Sequence, residues 1–358
     1  MTEPRKYEPG DTWFASARVL LGCFRLKPDE ETTEVLLFLL AYAVSVSEIA
    51  LHAFIGMPNH THVLFTDKDG TGATKFLRTF HQLVALHLGR LQDLSGPFWC
   101  RSGPHLKLIR GPVSCLRKMV YTLTNAASAG LCDAPEDWFG LITRIRDIGV
   151  GPLTIERPAA LTRFGGTNLP TSVTIEIVPP PGYEDLTAAE FRSLLRREVN
   201  ERAVTIRLNR TRPVADRDAL EQRPVLERPA EPPQRRRVRI LDPLLRHRIE
   251  CDTLAMQREE VESLQTFLTA YADAFQRWRA GDRDVQALAQ NGPQQRVEAA
   301  GAGTLAGSRQ AQRAGLQAVL PLAPCVSSDQ PRWNLRGDRC CGEPGPSRHP
   351  VHRGHGRR

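Results

Sequence analysis

Met57-Pro58-Asn59-His60-Thr61-His62-Val63-Leu64-Phe65 is the stretch that decides the reading of this chain. Pro58-Asn59 is a turn signal between two apolar, β-branched runs. In residues 49–56, Leu51, Ala53 and Ile55 alternate with His52 and Phe54, and residues 60–66 form a second strand pattern. Two strands joined by so short a turn make a hairpin. Side chains at i and i+2 of a strand share a face. His60 and His62 therefore present two imidazoles side by side, half of a metal site.

The elements on either side of the hairpin give the fold class. Residues 13–21 read as a first strand that can run past Cys23. Asp29-Glu30-Glu31 places acids in the first turn of a helix over 31–47, where the helix dipole favours them. The run 35–46 is apolar, lies between Glu34 and Glu48, and is too short to span a bilayer, so it reads as a buried helix. Asp67 to Gly72 is a polar loop. Phe76, Leu77, Phe80, Val84, Leu88 and Leu91 repeat at helical spacing over 74–91. Residues 98–109 hold a further strand, interrupted at Gly103-Pro104. Gly111-Pro112 opens another helix that runs to residue 129, with Gly130 at the C-cap position. The order β-α-β-β-α-β-α predicts an α+β, ferredoxin-like split βαβ domain, with a mainly antiparallel sheet and helices on one face.

The helix over 112–129 carries the second informative pattern. Leu116, Met119, Val120, Leu123 and Ala127 make a core face. Arg117, Tyr121 and Asn125 fall on the opposite side at i, i+4, i+8, with Lys118 close by. A tyrosine there is not needed for packing. Flanked by a cation one turn before and an amide one turn after, it suits nucleophilic attack on a phosphodiester, with Arg117 or Lys118 holding the phosphate. Read from this helix alone, an amphipathic surface tyrosine is the stronger reading. His62 and Tyr121 are 59 residues apart, separated by a helix and a strand. If the third strand is central, the last helix brings Tyr121 and Asn125 near His60 and His62. Two imidazoles and an amide oxygen form an incomplete shell for a divalent cation, Mg or Mn, and leave room for phosphate oxygens. His52, His81, His87 and His105 have no paired spacing and read as ordinary surface or core residues. His52 is the one that can lie beside the pair.

Charge narrows the partners. The chain has 358 residues and a formal net charge of +8. Residues 287–358 hold ten Arg and four acids, or +6; the remainder holds 38 basic and 36 acidic side chains, or +2. Whole-chain basicity is therefore a poor guide. The local pattern is better: from Leu94 to Cys132 there is no acid, but there are Arg101, Lys107, Arg110, Arg117 and Lys118. Such a patch can follow a phosphate backbone, although charge alone equally fits a solvated face. The eight cysteines show no CxxC pair or regular spacing, which suggests free thiols in a reducing compartment. The start, Met1-Thr2-Glu3-Pro4-Arg5-Lys6, lacks the apolar segment of a secretory leader. These readings point to the cytoplasm and away from a membrane.

Beyond residue 151 the character changes. The expected organisation is a catalytic domain over 1–150, an extension over 151–286 and a low-complexity tail over 287–358. The extension reads as a strand over 173–178, an exposed helix over 186–204 with Phe191, Leu194 and Leu195 as its stripe, a Pro/Arg/Glu-rich linker over 210–240, and a long amphipathic helix over 248–280. The tail is rich in Ala, Gly, Gln, Pro and Arg. It reads as disordered or as the out-of-frame translation of a GC-rich gene, which peptides recovered from it would decide.

Met57-Pro58-Asn59-His60-Thr61-His62-Val63-Leu64, followed by Met119-Val120-Tyr121-Thr122-Leu123-Thr124-Asn125-Ala126-Ala127-Ser128-Ala129-Gly130-Leu131, resembles the HUH single-tyrosine transposases, and more closely their REP-associated, insertion-sequence-like branch. The resemblance spans about residues 12–142, and the long extension also looks like one found in that branch. Thr61 stands where the family has a large apolar residue, and Asn125-Ala126 where it has Asn-Pro. The resemblance implies that His60 and His62 bind a divalent metal, with Asn125 as auxiliary ligand. It also implies that Tyr121 attacks DNA to form a 5′-phosphotyrosine link. It further implies single-stranded or hairpin DNA as substrate, DNA transposition as outcome, a homodimer as assembly and a nucleoid-associated place in the cytoplasm. Two other readings stay open: a nucleic-acid-binding module of the same fold that does not cleave, and an inactive remnant of a mobile element.

Overall fold

A computed structural model of the chain describes residues 4–163, 168–228 and 248–282. Its centre is a five-stranded sheet. The strands are β1 (Thr12–Arg18), β2 (Ile49–Met57), β3 (His60–Asp67), β4 (His105–Arg110) and a short β7 (Ile249–Cys251). Their spatial order is β2-β3-β1-β4-β7. The first four pair antiparallel, which is the split βαβ arrangement, and β7 adds to β4 in parallel.

Helices α1 (Glu30–Ser45) and α2 (Gly72–Leu91) cover one face, as expected. Phe65 of β3 meets Phe76 of α2 there, with ring centroids 5.1 Å apart. Asp29 caps α1 by accepting from Thr32 N at 2.8 Å. The apolar run of α1 is explained by its neighbours: it lies between α2 and a small hairpin of β5 (Leu153–Glu156) and β6 (Ser172–Ile175), so Val35, Leu36, Phe38, Leu39 and Leu40 are all buried. Helix α3 (Pro112–Ser128) lies over the opposite face, the one that carries His62 and Phe14. In turn α3 packs against α4 (Ala188–Leu208), where Phe191, Leu195 and Val199 are buried. A short α5 (Arg217–Gln222) and a long α6 (Leu254–Arg279) complete the described elements.

Several boundaries differ from expectation. The first strand ends at Arg18, because Leu21 adopts φ +58° in a 3-10 turn over Leu20–Gly22. The strand expected from 98 begins only at His105; before it Trp99 makes a single bridge to Val19. The helix expected from 248 begins at Leu254, after β7, a strand absent from the sequence reading. Part of the linker and the whole tail over 287–358 lie outside the described residues, as do Cys325, Cys340 and Cys341. Cys23, Cys115, Cys132 and Cys251 are free thiols. Among the described residues, no helix is long and apolar enough to cross a membrane.

The outer edge of β2 is covered. Gly56 N donates to Leu141 O at 2.8 Å, Thr143 N to Phe54 O at 3.0 Å, and Val178 N to Leu51 O at 2.9 Å. Covering an edge removes a template for unwanted strand pairing. The bulge at His52 lies in the same strand. Its Nδ1–H donates to Val178 O at 3.0 Å and its Nε2 accepts from Thr66 Oγ1 at 2.8 Å. His52 is thus a satisfied core residue and not part of the paired site. Burial pushes its pKa from 6.5 down to about 4. The folded state therefore resists a proton that the unfolded chain accepts, so this contribution is complete above pH 6.5 and is lost as pH falls toward 4. Fully developed, one such group removes roughly 3 kcal/mol. We expect the loss of stability between pH 7 and pH 4.5, read by urea unfolding, to be smaller in His52→Gln than in the wild type.

The turn from β3 into α2 is held by one buried carboxylate. Asp67 Oδ1 accepts from Gly70 N at 2.9 Å and Gly72 N at 3.1 Å, and Oδ2 from Ala73 N at 3.0 Å. Burial raises its pKa, while these backbone donors pull it back down. Gly72 is required beside it, since a Cβ there would sit 2.2 Å from Glu48 O. Asp67→Ala removes a buried acceptor that holds three N–H groups, of which Gly72 N keeps Asp69 Oδ1 at 2.8 Å, and is expected to cost about 3 kcal/mol in urea unfolding.

Candidate active site at the β3–α3 contact

His60 and His62 leave β3 on the face under α3, as their spacing requires. Their ring centroids are 4.7 Å apart. His62 is buried, stacked on Phe14 of β1 at 5.1 Å with planes 16° apart. The register places His62 opposite Ser16, whose Oγ is 2.8 Å from His62 Nδ1. His60 Nδ1–H donates to Asn59 Oδ1 at 2.6 Å. Each imidazole is therefore oriented through Nδ1 by a short polar side chain; the Asn59 oxygen fixes the tautomer of His60, while the Ser16 hydroxyl can donate to or accept from His62.

The remaining nitrogen of His62 is unusual. Nε2 is buried and has no hydrogen-bond partner among the described residues. An orphaned buried polar atom costs free energy unless a ligand satisfies it. Both rings are held neutral. Burial, and then the nearby Arg18, push His60 down to about 4. Burial, then His60, Arg18 and Lys118, hold His62 well below its ordinary 6.5. A neutral, buried, unpartnered imidazole nitrogen beside a second imidazole fits a divalent cation. Among the described residues no cluster of three or more His, Cys, Asp and Glu exists, so a third protein donor would have to be of another type.

Tyr121 comes from α3. Its ring lies edge-on to His62 at 5.4 Å and to Phe14 at 5.8 Å, within one chain. It is 46% exposed, large for an aromatic in a helix that packs on a sheet. Asn125 lies one turn further along and is buried, not exposed on a polar side as its spacing suggested. The predicted core face is also wider than read, since Ser114, Thr122 and Thr124 are buried too. Both results follow from α3 being covered by α4 as well as by the sheet. Thr61 is buried on the opposite face of β3, where its β-branched side chain suits a strand.

Lys118 Nζ sits 5.6 Å from the centre of the Tyr121 ring and 5.3 Å from that of Phe14. The other cations of the acid-free stretch are close by but engaged. Lys118 Nζ is 2.7 Å and Lys107 Nζ 3.3 Å from Glu250 Oε2, and Arg117 is 3.9 Å from Oε1. Burial raises the Glu250 carboxyl, but the two lysines outweigh it and hold it below the ordinary range. Arg110 pairs with Asp11 at 2.7 Å and Glu260 at 2.6 Å. Arg101 is exposed in the turn before β4. The counter-charges of these cations come from Glu250 of β7, Glu260 of α6 and Asp11. No sequence reading paired residues about 130–150 positions apart.

A split βαβ sheet with two imidazoles and a tyrosine converging on one face is the class of site described here. No family model matches the chain, and no curated protein matches it. Among solved structures, a REP-associated tyrosine transposase bound to a REP hairpin is similar at 19% identity and a TM-score of 0.35, over 41% of this chain and 85% of that one. A candidate transposase from Deinococcus radiodurans R1 is similar at 16% identity and a TM-score of 0.24, over 30% of this chain and 84% of that one.

Proposed function

We propose that this chain is a metal-dependent nuclease and strand-transferase of the transposase type, which nicks and rejoins single-stranded DNA through Tyr121. The observation that carries this reading is the meeting of Tyr121 with His62, whose Nε2 is buried and unpartnered. Most buried imidazole nitrogens in folded proteins are hydrogen-bonded, and a ligand would satisfy this one. In this reading His60 and His62 hold the cation through Nε2, and the amide oxygen of Asn125 is the auxiliary ligand. The bound cation supplies charge neutralisation at the scissile phosphate.

The remaining work falls to the chain. The Tyr121 hydroxyl gives its proton to solvent and its Oη attacks phosphorus in line, a P–O bond to the tyrosine forms, and the P–O bond to the 3′-oxygen of the preceding nucleotide breaks as that oxygen takes up a proton from solvent. The product is a 5′-phosphotyrosine link and a free 3′-hydroxyl. Rejoining is the reverse: a 3′-hydroxyl attacks the same phosphorus and the tyrosine oxygen leaves. Lys118 Nζ lies 5.6 Å from the centre of the Tyr121 ring, and in this reading its charge favours the phenolate. In this reading Arg101, Lys107, Arg110 and Arg117 are the cations assigned to backbone phosphates. His60, His62 and Tyr121 meet within one chain, which supports attack in cis.

The test is incubation of the full chain with an end-labelled, hairpin-flanked single-stranded oligonucleotide and Mn. The expected product is a protein–DNA adduct that survives denaturing electrophoresis and does not form with a chelator. Binding without adduct or cleavage, unchanged in His60→Ala, would overturn the reading in favour of a binding module.

A further inference from the structure

The helix that carries Tyr121 lacks a cap of its own. Its N-cap residue is Gly111, with φ +92° and no side chain to accept from the first turn. The acceptor comes from the far end of the chain. Asp252, just after β7, takes Val113 N on Oδ2 at 3.0 Å and Ser114 N on Oδ1 at 2.6 Å. A Cβ on Gly111 would lie 2.3 Å from that carboxylate, so glycine leaves the space that Asp252 fills. Asp252 N also donates to Arg110 O at 3.2 Å, which continues the parallel pairing of β7 with β4.

Two residues earlier in the same segment, Glu250 reaches the middle of α3. Its carboxylate holds Lys118 at 2.7 Å, and Lys118 in turn lies over the rings of Tyr121 and Phe14. The Glu250 and Lys118 side chains are both largely buried, at 19% and 15% exposure, so this is a restrained pair and not a solvated one. The four residues from Ile249 to Asp252 thus fix both the start of α3 and the cation beside its tyrosine.

We infer that Glu250 and Asp252 are positioning residues for Tyr121, and that this part of the C-terminal extension completes the site. Asp252 sets the first turn and axial position of α3, and Glu250 sets Lys118 against the tyrosine ring. This rests on Tyr121 being the nucleophile, as proposed above. An anionic side chain beside a nucleic-acid site can also act as a competitor of phosphate, and that role has the opposite sign.

The experiment uses the full chain and three variants, Asp252→Ala, Glu250→Gln and Glu250→Asp. Amide hydrogen exchange is read in the first turn of α3, and single-turnover adduct formation and dissociation constants are read with the same hairpin-flanked oligonucleotide. Asp252→Ala is expected to speed exchange at Val113 and Ser114 by about tenfold or more, with β1 and β3 unchanged. Glu250→Gln is expected to lower the adduct rate at saturating oligonucleotide by about tenfold without weakening binding, while Glu250→Asp, which keeps the charge, stays within about threefold of wild type. Unchanged exchange in Asp252→Ala would overturn the inference for the helix. An adduct rate that is unchanged or raised in Glu250→Gln would overturn it for Lys118, and a rise would mark Glu250 as a phosphate competitor. If the wild type forms no adduct, the proposed function fails, and the exchange result alone decides whether β7 positions α3.

Discussion

Tyr121→Phe is expected to abolish covalent capture of DNA and to lower strand cleavage by at least about a thousandfold, with little change in fold or binding. The substitution removes one hydroxyl from a ring that is 46% exposed. The aromatic body keeps its edge contacts with His62 and Phe14 and its place beside Lys118. No hydrogen bond of the Tyr121 hydroxyl within the described residues has to be broken. The change in unfolding free energy should therefore stay within about 0.5 kcal/mol. Affinity for the oligonucleotide should hold as well, since the cations of the patch are untouched. A loss of cleavage with binding and stability intact separates chemistry from packing. Denaturing electrophoresis for the adduct, urea unfolding for stability and fluorescence anisotropy for binding make the three readings.

The second large effect is at the histidines. Either ring removed should cut Mn affinity by about 10–100-fold and cleavage by about two orders of magnitude or more. The two variants differ in what else they disturb. His62 is buried and stacked on Phe14, so His62→Ala opens a cavity and is expected to cost about 2–3 kcal/mol of stability as well. His60 is half-buried, so His60→Ala is the cleaner probe of metal binding. Calorimetric titration with Mn, without DNA, reads the metal directly and does not depend on turnover. Tight binding that both variants leave unchanged would place the metal elsewhere and remove the purpose assigned to the orphaned Nε2.

Local pattern was enough for the hairpin, the two helices on the far face and α3. Pro58-Asn59 marks the turn, alternation marks β2 and β3, and Gly111-Pro112 and Gly130 bracket α3, with Gly130 at φ +71° where a left-handed C-cap belongs. The convergence of His62 and Tyr121 followed from topology, because β3 is interior and α3 crosses its face. What local pattern missed is non-local. Ile249-Glu250-Cys251 has no alternation and only three residues, and its pairing with β4 is parallel, so nothing nearby announces a strand. The same gap hid the counter-charges of Lys107 and Lys118 and the external cap of α3. Asn125 was misplaced because a period of 3.6 separates faces but does not say how many faces are covered; α4 covers the second one. The early end of β1 turned on Leu21, an apolar residue in a left-handed conformation that no strand pattern foresees.

The central claim is that one side-chain oxygen becomes bonded to DNA. Mass spectrometry of the captured adduct tests it most directly. After nuclease trimming and tryptic digestion, the fragment over residues 119–144 contains Tyr121 as its sole tyrosine. The account predicts this fragment with a nucleotide attached through phosphate, and fragmentation that places the added mass on Tyr121. Attachment at any other residue, or cleaved DNA with residues 119–144 wholly unmodified at every time point, would contradict it.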